Sequence, residues 1–109
     1  MAGSPEILDE AGRLFLHEAE GMFLALQAAV TSADANRVER AAHLIKGALL
    51  SIAAPAAARL ADAIEAQGRA GANVPPARLT ELELELTRVC SDLAAILDKL
   101  EKLAAVSCP

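Results

Sequence analysis

Apolar residues recur three and four positions apart along most of the chain, the spacing of one face of an α-helix. The first such run extends from Glu6 to about Thr31 and carries Ile7, Leu8, Phe15, Met22, Phe23, Leu26 and Val30. Ser4-Pro5 reads as its start, with Ser as N-cap and Pro at the first helical position. Gly12 and Gly21 each weaken it by about 1 kcal/mol relative to alanine, which allows a short first helix before a longer second one. Thr31-Ser32-Ala33-Asp34-Ala35-Asn36 is rich in capping residues, and the next helix starts at Asp34 or Asn36. Asn36 with Glu39 resembles a capping box. That helix runs to about Ile52, where Ala53-Ala54-Pro55 breaks it.

A third run, about Pro55 to Gln67, carries Leu60, Ala61 and Ile64, and Gly68 and Gly71 are two candidate C-cap glycines. Asn73-Val74-Pro75-Pro76 introduces the last run, about Pro76 to Ala105. Leu79, Leu82, Leu86, Val89, Leu93, Ile96, Leu100 and Leu103 form its near-heptad stripe, with Leu97 as a wider edge. Leu82-Glu83-Leu84-Glu85-Leu86 alternates with period two, but strong helix formers flank it, so it is read as helix. The connections are short, so neighbouring helices should run antiparallel. The prediction is an all-α, antiparallel up-and-down four-helix bundle, with a short extra N-terminal helix as a variant.

Composition fits this picture. The chain has 109 residues, 54% hydrophobic and only 2% aromatic, with no Trp or Tyr. That is enough for one core built of Leu, Ile, Val and Ala, and residues 1–109 are read as a single domain. The formal net charge of −5 and the lack of a basic cluster argue against nucleic-acid binding, which needs grouped Lys and Arg. No apolar run is long enough to span a membrane, and the N-terminus lacks a secretory signal pattern. A cytoplasmic protein is expected. Cys90 lies on an apolar stripe and Cys108 is next to last, a spacing that suggests neither a metal site nor a disulfide framework. No cofactor is expected.

The candidate chemistry lies in Ala41-Ala42-His43-Leu44-Ile45-Lys46-Gly47. On this helix Val38, Ala41, Ala42, Ile45, Ala48, Leu49 and Ile52 form the core stripe. His43 lies off it, on a face shared with Arg40, Lys46, Gly47 and Leu50. Residues three and four apart are surface neighbours, so an imidazole nucleophile, a fixed positive charge and a missing side chain meet there. An ordinary exposed histidine would account for His43 alone. It accounts less well for Lys46 and for Gly47, which helix propensity disfavours.

Ala42-His43-Leu44-Ile45-Lys46-Gly47, followed by Leu60-Ala61 and Ile64-Glu65-Ala66-Gln67-Gly68-Arg69, resembles the histidine-containing phosphotransfer (HPt) domain of multistep phosphorelays. The resemblance extends over almost the whole chain. It implies a phosphorelay intermediate that takes a phosphoryl group from a receiver-domain aspartate and passes it to another. The partners would be receiver domains of a hybrid sensor kinase or a response regulator. It further implies no kinase activity or ATP site, and a magnesium ion that belongs to the receiver. By position, His43 would be the phosphoacceptor, Lys46 its charge partner and Gly47 the clearance residue. Glu65 falls where many members place a Gln or Glu that hydrogen-bonds the ring nitrogen not phosphorylated. Arg40 and Arg69 are candidates for charge near the site.

The chain departs from the family pattern at Leu44, Ala48 and Ala53, where Ser or Thr, Ser and Gly are common. These changes make the surface beside His43 more apolar. Leu44, Leu50 and one edge of the first helix (Leu14, Leu16, Phe23 or their neighbours) are candidates for receiver docking, while Phe15 and Phe23 also fit the core. His17, beside Glu18 and Glu20, reads as a solvated surface residue. Two alternatives stand beside the relay: an adaptor bundle that oligomerises through the last helix, and a docking module that binds a receiver without relaying. The relay reading expects a monomer.

Overall fold

The computed structural model describes residues 5–107, with side chains from residue 9 to residue 105. Ser4 and Cys108 lie outside the described residues, as do the side chains of Ile7 and Leu8. Four helices follow one another: α1 (Pro5–Thr31), α2 (Ala35–Ser51), α3 (Pro55–Arg69) and α4 (Pro76–Ser107). Each packs on its neighbours in the chain, α4 closes back on α1, and among the described residues the backbones of the diagonal pairs do not approach. Short connectors make this the antiparallel up-and-down bundle that the hydrophobic pattern predicts.

Among the described residues there is no extra N-terminal helix, because α1 is continuous across both glycines. Gly21 faces solvent. Gly12 is buried under α4, and a Cβ there would stand 3.2 Å from Leu93 Cδ1 and 3.4 Å from Leu97 Cδ1. It is a packing position rather than a break.

Three helices end in the same way. The chain turns through a left-handed residue at Ala33, Ala53 and Gly71, with φ of 54°, 58° and 70°. In each case the following amide reaches back to a carbonyl in the last turn: Asp34 to Ala29, Ala54 to Leu49 and Ala72 to Gln67. This is the Schellman arrangement. Only Gly71 adopts the conformation freely; an alanine there carries a penalty of about 1 kcal/mol. Asp34 caps α2 by accepting from the Arg37 amide. The Asn36–Glu39 capping box does not form, since a cap at Asp34 leaves Arg37 in the reciprocal position. Gly68 is not a cap either; it is buried inside α3.

The core is aliphatic around two rings, Phe15 and Phe23. Val38, Ala42, Ile45 and Leu49 face it from α2, Ile52 from just past its end, and Ala57, Ala58, Ala61 and Ile64 from α3. On α4 the buried residues are Leu82, Leu86, Leu93 and Leu97. The expected heptad stripe needs correction, because Ile96 and Leu103 are exposed and Leu97 is core. With 17 residues in α2 and 32 in α4, the helices are about 26 and 48 Å long. Much of α4 therefore has only α1 to cover it, and the covered seam is the one over Gly12. Among the described residues no helix is long and apolar enough to cross a membrane.

Candidate functional site

His43 stands on the outer face of α2, its side chain 64% exposed. Burying Val38, Ala42, Ile45 and Leu49 against the other helices turns the opposite stripe outward. Arg40, His43, Gly47 and Leu50 all lie on that exposed stripe, with Lys46 half-buried at its edge toward α3. Gly47 has open space around it, with nothing beyond its own stretch of helix within 4 Å of where a Cβ would stand. The helix therefore gains no packing from this glycine and loses propensity to it.

The partner helix supplies Glu65, the one charged residue buried among the described residues, with a side chain only 5% exposed. Its carboxylate gathers three donors. His43 Nδ1 is 3.0 Å from Oε2, and Arg69 Nη2 donates to the same oxygen at 2.9 Å. Lys46 Nζ lies 2.7 Å from Oε1 as an ion pair. Lys46 also donates to Asp62 Oδ1 at 3.0 Å, and Arg69 Nε donates to Glu39 Oε2 at 3.1 Å. A buried carboxylate needs such pairing, since desolvation opposes its charge. Lys46 holds the Glu65 carboxyl below the usual range despite burial, with His43 adding to the effect. In return, Glu65 and then Asp62 push the Lys46 ammonium up.

The pairing fixes the imidazole. An ionised carboxylate only accepts, so the His43 nitrogen facing it must carry the proton. In the neutral ring, Nδ1–H donates to Glu65 and Nε2 keeps its lone pair.

A pH dependence follows. A carboxyl with a depressed pKa stabilises the fold above its unfolded pKa, near 4.3, and that contribution disappears as pH falls through the folded value. Glu65→Gln is expected to lower stability by about 1–2 kcal/mol at neutral pH. The difference from wild type should shrink as pH drops from about 5 toward 3. Urea midpoints at both ends of that window would test it; a pH-independent gap would exclude this role for the charge.

Most of the residues singled out in the sequence meet here. Glu39, Arg40, His43, Leu44, Glu65 and Arg69 line one open groove. Lys46 joins them through Glu65, and Gly47 flanks the ring. Arg40 makes no ion pair among the described residues. Leu50 is exposed but lies two turns from His43, outside the groove. Leu44 also borders an apolar furrow with Leu14, Met22 and Ala48. Of the α1 docking candidates, Leu14 is exposed, Leu16 is half-buried and Phe23 belongs to the core. His17 is solvent-facing, as expected. Cys90 is half-buried, and burial pushes its thiol up. Asp62 and Glu39 were not anticipated as members of the cluster. The spacing of Asp62, Glu65 and Arg69 along one face of α3 was the available signal. Among the described residues, no group of three or more His, Cys, Asp or Glu side chains is arranged to hold a metal ion.

The fold and the site together define a four-helix-bundle module that presents a carboxylate-held histidine on one helix face. The family model for the Hpt domain matches residues 10–105, and the chain belongs to that family. Hpt domains take part in histidine phosphotransfer in two-component signalling; they are phosphocarriers rather than kinases, and receiver domains are their partners. Neither a comparison with curated proteins nor one with solved structures gives a match.

Proposed function

We propose that this domain is an intermediate in a multistep phosphorelay, with His43 as its phosphoacceptor. The observation that carries this reading is the Nδ1 contact to buried Glu65, which leaves Nε2 as the nucleophile. In the forward step the Nε2 lone pair forms a bond to phosphorus of a receiver's aspartyl phosphate. The P–O bond breaks, and its electron pair returns to the aspartate carboxylate. The Nδ1 proton stays in place, held by Glu65. Passing the group to a second receiver reverses these bond changes.

The other residues have supporting roles. Lys46, one turn from the ring, counters the charge of the incoming phosphoryl group. Gly47 leaves room for the receiver's active-site loops. Arg40 and Arg69 contribute positive charge at the groove rim, and Leu44 offers apolar contact beside the histidine, as interface centres commonly do. Leu50 extends the apolar contact two turns along α2. Residues 1–109 act as one monomeric module in the cytoplasm, serving receivers of a hybrid sensor kinase or a response regulator.

Incubation with a phosphorylated receiver tests this. The expected product carries one acid-labile, base-stable phosphoryl group, located at His43 by peptide mapping. Stable receiver binding without label transfer would instead identify a docking module that has lost relay.

A further inference from the structure

Four charged or titratable side chains close a circuit across α2 and α3. On α2, Glu39 and His43 are one turn apart; on α3, Glu65 and Arg69 are one turn apart. Arg69 bridges the two carboxylates, with Nε on Glu39 Oε2 at 3.1 Å and Nη2 on Glu65 Oε2 at 2.9 Å. Glu65 Oε2 in turn meets His43 Nδ1 at 3.0 Å. The helices come close enough because Gly68 lies against the α2 backbone, where a Cβ would stand 2.7 Å from the Glu39 amide nitrogen. Lys46 lies on the other side of the carboxylate, paired with Glu65 Oε1 and with Asp62 Oδ1.

We propose that Arg69 is a positioning residue for His43, acting through Glu65. The two oxygens of Glu65 have different duties. Oε1 faces Lys46, while Oε2 is shared by Arg69 and the ring. Arg69 is anchored by Glu39 on the same helix as the histidine, so it registers Oε2 against Nδ1 rather than merely neutralising it. Without Arg69 the one fixed cation on Glu65 is Lys46, which holds Oε1 and leaves Oε2 with no anchor to Glu39 on α2. The Nδ1 proton then loses its fixed acceptor. A neutral imidazole in water favours the tautomer with the proton on Nε2, and a protonated Nε2 cannot attack phosphorus. Removing Arg69 therefore blunts the nucleophile without touching it.

This inference rests on the relay reading only for its kinetic consequence; the tautomer can be measured directly. Nitrogen-15 NMR of the His43 ring at about pH 8.5, above the ordinary imidazole range, should show a protonated Nδ1 and a bare Nε2 in the wild type. In Arg69→Ala the two shifts should move toward each other as the tautomers mix. Phosphoramidate serves as a donor that needs no receiver: Nε2 bonds to phosphorus as the P–N bond breaks and ammonia leaves with the bonding pair. Its labelling of His43 should slow about tenfold in Arg69→Ala, the loss expected for one charge-assisted hydrogen bond.

Arg69 is mostly exposed, so truncation should leave the fold intact. Glu39→Gln, which loosens the anchor without shortening Arg69, should move the shifts in the same direction by less. Wild-type ring shifts in both variants would overturn the proposal. If the wild type itself takes no label, the relay reading fails while the ring shifts still decide the role of Arg69.

Discussion

His43→Gln is expected to abolish phosphoryl labelling while the bundle remains folded. The two effects separate because the ring is mostly exposed and contributes little burial. The glutamine amide can still donate to Glu65, so the carboxylate keeps a neutral partner where His43 stood. Stability should change by no more than about 1 kcal/mol, as for most surface substitutions. The amide nitrogen, however, has no available lone pair, so no phosphoramidate bond can form at residue 43. Label should fall to background at every donor concentration, because the change removes the nucleophile rather than weakening binding. The informative control is His17→Gln. His17 is exposed, and no side chain among the described residues fixes its ring, so that variant should label like the wild type. Label that survives His43→Gln and disappears with His17→Gln would reverse the assignment.

Gly68→Ala should be the most damaging single methyl group in the α2–α3 pair. Helix propensity alone favours alanine over glycine by about 1 kcal/mol. Here the new Cβ would stand 2.7 Å from the Glu39 amide nitrogen, 3.0 Å from Val38 Cγ1 and 3.1 Å from the Ala35 carbonyl oxygen. Two of those atoms are backbone and cannot swing aside. The helices must separate, which strains the packing of Val38 and stretches the His43–Glu65 contact. A net loss of about 2–3 kcal/mol is expected, read as a lower urea midpoint. Gly47→Ala is the matching case of opposite sign. Nothing lies near that position, so propensity acts alone and the midpoint should rise by the equivalent of about 1 kcal/mol. A stabilising Gly68→Ala would refute the close approach.

The contrast between these glycines shows what the sequence could and could not convey. Local sequence separates them in the wrong way, placing Gly47 inside a helical run and Gly68 just past the end of one. Gly68 lies near a helix end beside Gly71, so it reads as a cap; its actual neighbour is another helix's backbone, 29 residues away in sequence. Glu39 was misread for the same reason, as half of a capping box, because its true partner is Arg69 across the helix pair. The α2 stripe was legible because burial there follows one period on one helix. So were His43, Lys46 and Glu65, whose spacing carries the family resemblance. The α4 stripe was half legible. A heptad assumes a partner along the full length, whereas beyond the reach of α2 and α3 only α1 covers it. The seam over Gly12 therefore selects Leu93 and Leu97 and leaves Ile96 in solvent.

The empty space at Gly47 has a consequence for laboratory evolution of this domain. Almost any side chain there would strengthen α2, and none would meet an obstacle within the domain. A library screened for heat resistance alone should therefore lose Gly47 early, and the survivors would be well-folded proteins with an obstructed histidine. On the proposed role of Gly47, thermal selection and phosphotransfer pull this position in opposite directions, so a useful screen must score receiver-dependent transfer alongside survival.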